Sequence, residues 1–406
     1  MGNNIPQGYK ATALGIIPQE WKTIRLKDCF SISAGGDVQK DCFSEAPSLQ
    51  YKYPIYSNSL FNHGLYGFTS HPRHKANSIT ITGRGALGHA EYREIDFDAI
   101  VRLLVLAPKI PLNGQYITEY INFRKPFFYE STGVPQLTAP QIANIQVLFP
   151  PLGEQRKIAE VLGVWDEAIE KQARLIEKLA LRKRGLMQRL LSAKLRLPGF
   201  SEPWKKVKLG DIGDTYNGLS GKNKDDFEYG NAQFIPYINV FSNERIDTNN
   251  LGCVQIEPNE QQNTVKYGDI FFTVSSETPD EVGMASVLLE HLDNTYLNSF
   301  CFGYRLNDFS TLNPFFAAYL FRTEHFRNYM SVLAQGSTRF NISKKEVMKL
   351  KIDLPTIEEQ TAIAEVLTAA DREIELAKEK LERLRRQKRG LMQQLLSGKK
   401  RVKINI

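Results

Sequence analysis

With 406 residues, 42% hydrophobic and 11% aromatic, the chain is long enough for two or three folded domains, and wholesale disorder is excluded. It has no apolar run of 18 residues, and MGNNIPQGYKATALG carries neither a secretory signal nor, with Pro6, a myristoylation pattern. Its four scattered cysteines (Cys29, Cys42, Cys253, Cys301) suit neither a disulfide scaffold nor a zinc site, so a cytoplasmic protein is expected. The formal net charge of +7 permits a nucleic-acid partner without requiring one.

In chain order, IPQEWKTIRLKD (17–28) opens a mixed α/β region over about 20–150. NSITITGRGALGHAEY (77–92) reads as strand, Gly-rich loop, strand; AIVRLLVLAP (99–108) as a strand; YITEYINFRKPFFYE (116–130) as an aromatic helix. Next come a short segment, STGVPQLTAPQIANIQVLFP (131–150), and a long helical pattern from 151 to 196, framed by Pro150-Pro151 and Pro198-Gly199. The order then repeats. SEPWKKVKLGDI (201–212) matches the opening, with Trp21, Leu26 and Asp28 on Trp204, Leu209 and Asp211. GDIFFTVSSETPDEVGMASVL (268–288) is again strand, loop, strand; NSFCFGYRL (298–306) a strand; NPFFAAYLFRTEHFRNYM (313–330) a helix; and GSTRFNISKKEVMKLKIDLP (336–355) leads into a second long helix after Pro355.

The helical segments 154–192 and 359–397 align without gaps, with 21 identities in 39 positions and the blocks IAEVL, KRGLMQ and LLS intact. Charge concentrates there: residues 153–196 hold 11 Lys/Arg against 6 Asp/Glu, and residues 356–403 hold 12 against 8. The remainder is slightly acidic, so DNA binding by the globular parts needs local basic faces.

Both helices carry a 4,3 spacing of mostly apolar residues, which marks a seam against another helix. In the first the seam is Ile158, Leu162, Trp165, Ile169, Ile176, Leu179, Leu186 and Leu190; in the second, Ile363, Leu367, Ile374, Leu381, Leu384, Leu391 and Leu395. Gln172, Lys183, Ala370, Ala377 and Lys388 complete the spacing. Each helix could pack on its own globular domain, but a duplicated chain closes most simply by pairing its two copies. Large Trp165 and Ile176 would then complement small Ala370 and Ala377.

The order of Ser-Thr, short helix, strand ending in Leu-x-Pro, Glu-Gln-x-x-Ile-Ala-Glu-Val-Leu, long helix and Lys-Arg-Gly-Leu-Met-Gln resembles the specificity subunit of type I restriction-modification enzymes. ALGIIPQEWKTIRLKD resembles the entry to that family's recognition domains. The likeness spans nearly the whole chain and is sharpest over 131–192 and 336–397. It implies an α+β chain of two mixed α/β target-recognition domains in tandem, separated by two long helices packed as an antiparallel coiled coil with pseudo-twofold symmetry. The expected divisions are 1–150, 151–196, 197–355 and 356–406.

The resemblance further implies that each recognition domain reads one half of a split, asymmetric site in double-stranded DNA. The helices would fix the gap and dock two methyltransferase subunits; motor-nuclease subunits would join to restrict. No cofactor is expected on this chain: S-adenosylmethionine belongs to the methyltransferase subunits, ATP and magnesium to the motor-nuclease. Catalysis by the chain is not expected either. It lacks a P-loop, since GLSGK (218–222) is too short, and it lacks Asn-Pro-Pro-Tyr. GRGALG (83–88) lies between two strand-like runs, as a tight turn would, and His71 and His74 have no ligand partners nearby and so suggest no metal site.

Base reading needs Arg, Lys, Asn or Gln at base edges, with Lys, Ser and Thr on phosphates. Candidates are Arg73, Lys75, Arg84, His89, Ser131, Thr132 and Gln136 in the first domain. In the second they are Ser275, Ser276, Ser337, Thr338, Arg339, Asn341 and Lys344. The Ser-Thr pairs could instead be helix N-caps. Competing readings are the specificity subunit of a type IIB-like system, a nuclease using the carboxylates of DFDAI (96–100) or SSETPDE (275–281), and a coiled-coil scaffold unrelated to DNA.

Overall fold

The computed structural model describes residues 5–125, 136–227 and 229–403. These fall into two compact units, residues 1–173 with 379–406, and residues 174–378. Each unit therefore takes the first part of one long helix and the last part of the other.

In the first unit, a four-stranded antiparallel sheet runs in the order Phe30–Ala34, Leu104–Pro108, Ser78–Ile81, Ala90–Arg93. A second sheet is built on Tyr53–Tyr56, with Leu65–Thr69 antiparallel to it and Asp98–Ala99 parallel. The entry strand Lys22–Arg25 pairs with the exit strand Gln146–Phe149. Helix Gly114–Arg124 starts where the Asn113 side chain accepts from the Tyr116 amide at 2.8 Å. It buries Tyr116, Ile117, Tyr120 and Ile121 on one face, against Ile79, Ile81, Leu104 and Leu106 of the sheet. Ile158, Leu162, Leu395 and Leu396 complete that core, so the long helices are part of the unit's hydrophobic interior.

The second unit repeats the plan. Its sheet runs Gly213–Asn217, Cys301–Leu306, Ile270–Thr273, Ala285–Val287. Ala232–Ile235 carries Gly252–Val254 antiparallel and Thr295–Leu297 parallel, and Lys205–Lys208 pairs with Lys351–Leu354. Asn313 caps Pro314–Leu320, as Asn113 caps its counterpart. Ile363, Leu367, Leu190 and Leu191 enter the core. Gly35 and Gly218 hold equivalent places: a Cβ at either would collide with backbone, of Ala99 or of Asn298.

Two expected elements divide. The helix expected over 313–330 is two, Pro314–Leu320 and Glu324–Leu333, because the Thr323 hydroxyl accepts from the Phe326 amide and caps a new start. The strand expected over 99–108 is broken at Val101 and Arg102, which adopt left-handed φ of 52° and 58°.

The long helices span Leu152–Leu190 and Ile357–Leu395. All the seam candidates are buried or half-buried. In the first unit Lys388 pairs with Asp166 at 2.7 Å, and Arg401, beyond the second helix, pairs with Glu154 at 2.6 Å. In the second unit Lys183 pairs with Asp371 and Arg196 with Glu359, both at 2.6 Å. Later residues of one segment meet earlier residues of the other, so the helices pair antiparallel in each unit. The two sets of ties are the same ties with the copies exchanged. The Lys388–Asp166 tie places Trp165 at the level of residues near 389, so its complement is not Ala370, whereas Ile176 does fall at the level of Ala377.

Candidate nucleic-acid interface

In each unit the hairpin at the end of the main sheet has the same closure. In the first, the Thr82 hydroxyl accepts from the His89 amide at 2.9 Å and the Gly88 amide donates to the Thr82 carbonyl at 2.8 Å. In the second, the Thr273 hydroxyl accepts from the Met284 amide at 2.9 Å and the Gly283 amide donates to the Thr273 carbonyl at 3.1 Å. Gly88 and Gly283 both re-enter with left-handed φ, 78° and 63°, a conformation that favours glycine. GRGALG is thus a turn between antiparallel strands.

A second segment docks on each hairpin. The Leu137 amide donates to the Gly83 carbonyl at 2.9 Å, and the Ile342 amide to the Val274 carbonyl at 3.0 Å. These bonds bring Gln136 beside Arg84, whose guanidinium donates to the Gln136 side-chain oxygen Oε1 at 3.4 Å. They bring Asn341 opposite Ser275 in a short antiparallel ladder, with Phe340 opposite Ser276. Arg84–Gln136 and Ser275–Asn341 therefore occupy equivalent places in the two units.

The enclosed chemistry differs. Between Thr82 and Gly88 the exposed residues are Arg84, Gly85 and Ala86. Between Thr273 and Gly283 the loop is longer, with Glu277, Thr278, Asp280 and Glu281 exposed. Two half-buried arginines tie the loop and the strand that follows it to the rest of the unit. Arg327 donates to the carbonyls of Asp280, Val282 and Gly283, and Arg322 to those of Ala285, Val240 and Asn243. Burial lowers the pKa of both, Arg322 to about 10. Beside the loop, mutual backbone bonds between Gln335 and Asn341 hold Ser337, Thr338 and Arg339 at an exposed tip. The Tyr237 hydroxyl donates to the Ser275 carbonyl at 3.0 Å.

The other candidates are placed differently. Arg73 is tied to buried Asp98 at 2.7 Å and to the Asp37 carbonyl at 3.0 Å; the Asp98 hydrogen bond raises its pKa. Lys75 is exposed and pairs with Asp96 at 2.9 Å. His89 meets Glu91 at 3.0 Å. Burial would raise the Glu91 pKa, but hydrogen bonds from His89 and His63, with the charge of Arg93, leave it lowered. Lys344 turns inward to the Asn217 side-chain oxygen, and burial lowers its pKa. Ser276 donates to Glu281 at 3.2 Å. Ser131 and Thr132 lie outside the described residues.

Sequence reading missed the two threonine closures and two exposed flanking residues, Arg102 and Phe300. A Cβ on Gly83 would lie 3.2 Å from the Arg102 carbonyl, and the Val274 amide donates to the Phe300 carbonyl at 2.9 Å. The recurring threonine at a strand end, followed by glycine before the next strand, was the available signal. Asn58 was missed too: its side chain accepts from the Gly83 amide at 2.7 Å and donates to the Val101 carbonyl, joining the hairpin to the left-handed Val101–Arg102 turn. A β-branched residue at positive φ is strained, and such strain gathers at functional sites.

No described helix is long and apolar enough to cross a membrane, and the described residues hold no cluster of three or more His, Cys, Asp or Glu placed to bind a metal. The profile of the family described as "Type I restriction modification DNA specificity domain" matches residues 18–180 and 201–386. The MjaVIII specificity subunit of a type I restriction enzyme from Methanocaldococcus jannaschii is 24% identical, over 95% of this chain and 94% of that protein. A putative type I specificity subunit of Mycoplasma pneumoniae, S.MpnORF507P, is 33% identical over 36% of this chain and 39% of its own length. Among solved structures, the S subunit of a type I restriction-modification system from M. genitalium shares the fold, with a TM-score of 0.58 and 16% identity over 97% of each chain.

Proposed function

Since this chain belongs to the type I restriction-modification DNA specificity family, and is a specificity subunit with two target recognition domains, we propose that each hairpin, with the segment docked on it, reads one half of a split site in double-stranded DNA. The observation that supports this is the equivalence of Arg84–Gln136 and Ser275–Asn341: one closure, one docking bond, two different sets of base-reading chemistry. The first hairpin offers donors. Arg84 and Arg102 suit guanine O6 and N7, and the Gln136 amide suits adenine N6 and N7. The second offers acceptors, with Glu277 and Glu281 matched to a cytosine amino group, while the Asn341 amide suits adenine. Ser337, Thr338 and Arg339, exposed at the neighbouring tip, suit phosphates, as does exposed Lys75 by its charge.

The chain itself carries out no chemistry in this reading. The paired helices fix the gap and dock two methyltransferase subunits that bring S-adenosylmethionine and methylate adenine. Motor-nuclease subunits bring ATP and magnesium, and the complex works in the cytoplasm. The test is genome-wide adenine methylation in cells with and without this gene, the methyltransferase partner being present in both. A methylated motif of two short halves around a fixed undefined gap is expected only with the gene. A contiguous motif, or no change when the purified methyltransferase does bind the chain, overturns the reading.

A further inference from the structure

Lysine is an unusual choice for a helix–helix seam, because burying an ammonium is costly unless it is paired. The chain places one at Lys183 and one at Lys388, both in the recurring Lys-Arg-Gly-Leu-Met-Gln block, with side chains only 14% and 13% exposed. Each holds two carboxylates. One comes from the other long helix: Asp371 at 2.6 Å for Lys183, Asp166 at 2.7 Å for Lys388. The second comes from the recognition domain: Glu244 at 2.9 Å for Lys183, Glu119 at 2.9 Å for Lys388.

The lysines and the helix aspartates are sequence repeats of one another; the recognition-domain glutamates are not. Glu119 sits in helix Gly114–Arg124, whereas Glu244 follows helix Tyr237–Ser242, an element without a described counterpart in the first unit. At the place of Glu119 in the second unit stands Tyr319, whose hydroxyl donates to Asp371 at 2.6 Å. The carboxylate tie is thus made in both units from unrelated positions.

In both, the tie also leads to the same strand. The Glu119 helix grips Ala90, the first residue of the strand leaving the first hairpin, through Asn122, which accepts from the Ala90 amide at 2.8 Å and donates to its carbonyl at 2.9 Å. The Glu244 carbonyl accepts from the Val287 amide at 3.2 Å, in the strand leaving the second hairpin. We infer that Lys183 and Lys388 are positioning residues that fix each reading hairpin on the helix pair, and so set how strictly the complex holds to one gap length. The inference rests on the split-site reading. Charged pairs with directional bonds hold an angle more narrowly than an apolar contact would, and a displacement near 1 Å at a remote support can cost about 100-fold in rate.

The experiment uses the complex of the full chain with its methyltransferase subunits. It acts on duplexes bearing both half-sites at the native gap and at gaps one base pair shorter and longer. Lys388→Met and Lys183→Met should each reduce the preference for the native gap about tenfold or more, leaving both half-sites unchanged. Glu119→Gln, which keeps the Lys388–Asp166 pair, should shift the preference in the same direction by less, and it decides the matter if Lys388→Met does not fold. A parallel loss at all three gaps, or lower thermal stability with the gap ratio intact, overturns the inference and gives the lysines a structural role only. A wild-type complex with no gap preference overturns the split-site reading, and this inference with it.

Discussion

The first unit's hairpin encloses three exposed residues and one positive charge; the second's is longer, with three exposed carboxylates and a half-buried arginine, Arg327, holding its backbone. Yet both close with a threonine hydroxyl on a returning amide, re-enter through a left-handed glycine, and receive one backbone bond from the docked segment. The frame is held by backbone bonds and small residues, which do not depend on loop sequence, while the loop is exposed. The loop sequence can therefore change without cost to the core, and in the proposed reading a chain of this design can hold two different readers on one scaffold.

The largest expected effect breaks that comparison deliberately. Replacing residues 83–87 by residues 274–282, between Thr82 and Gly88, should lower methylation of the original first half-site by about 10-fold or more, since the Arg84 base contact of about 1–3 kcal/mol is lost. The second half-site should be unchanged, and the melting temperature should stay within a few degrees.

The entry tryptophans offer a matched pair of smaller size. Trp21 Nε1 donates to buried Glu154 at 2.9 Å, whereas Trp204 Nε1 is buried with no hydrogen-bond partner. Trp21→Phe should therefore cost about 1–3 kcal/mol more than Trp204→Phe in urea unfolding, because only the first leaves a buried carboxylate short of a donor. Equal losses would mean that the Trp21 bond adds nothing net.

Strain separates the units as well. Val101 is left-handed beside the first hairpin, and the residues at the equivalent turn before Cys301 are not. Val101→Asn, a residue that tolerates this region, should raise stability by about 1 kcal/mol. Activity should fall if the strain holds Arg102 in place.

The smallest functional effect is expected from the thiols, of which each unit has one buried and one more accessible. Burial, with the nearby charge of Asp28, pushes the Cys29 thiol up to about 11, and burial raises Cys301 as well. At pH 8 a thiol reagent should modify exposed Cys253 at least about 100-fold faster than either, with the methylated motif unchanged.

The duplication and the helix pair were legible because heptads and unbroken repeats are local in sequence. Candidate chemistry at Arg84, Gln136, Ser275 and Asn341 was legible by residue type. Their pairing was not, because it depends on Leu137 and Ile342 reaching across to backbone carbonyls more than 50 residues away. Arg73 and Lys344 looked equally suited to DNA, but their salt bridge and inward hydrogen bond are properties of the fold. Arg102 and Phe300 escaped notice because nothing in the sequence places a strand-adjacent turn beside a loop some 20 residues distant.

The most direct test of two independent readers is the methylated motif produced by Gln136→Ala and by Asn341→Ala, each mapped by sequencing in cells that carry the methyltransferase partner. Gln136→Ala should relax one position in one half-site, by about 10-fold or more. Asn341→Ala should relax one position in the other half, and the gap should stay fixed in both. A change in both halves from either substitution, or in neither half from both, would contradict the account.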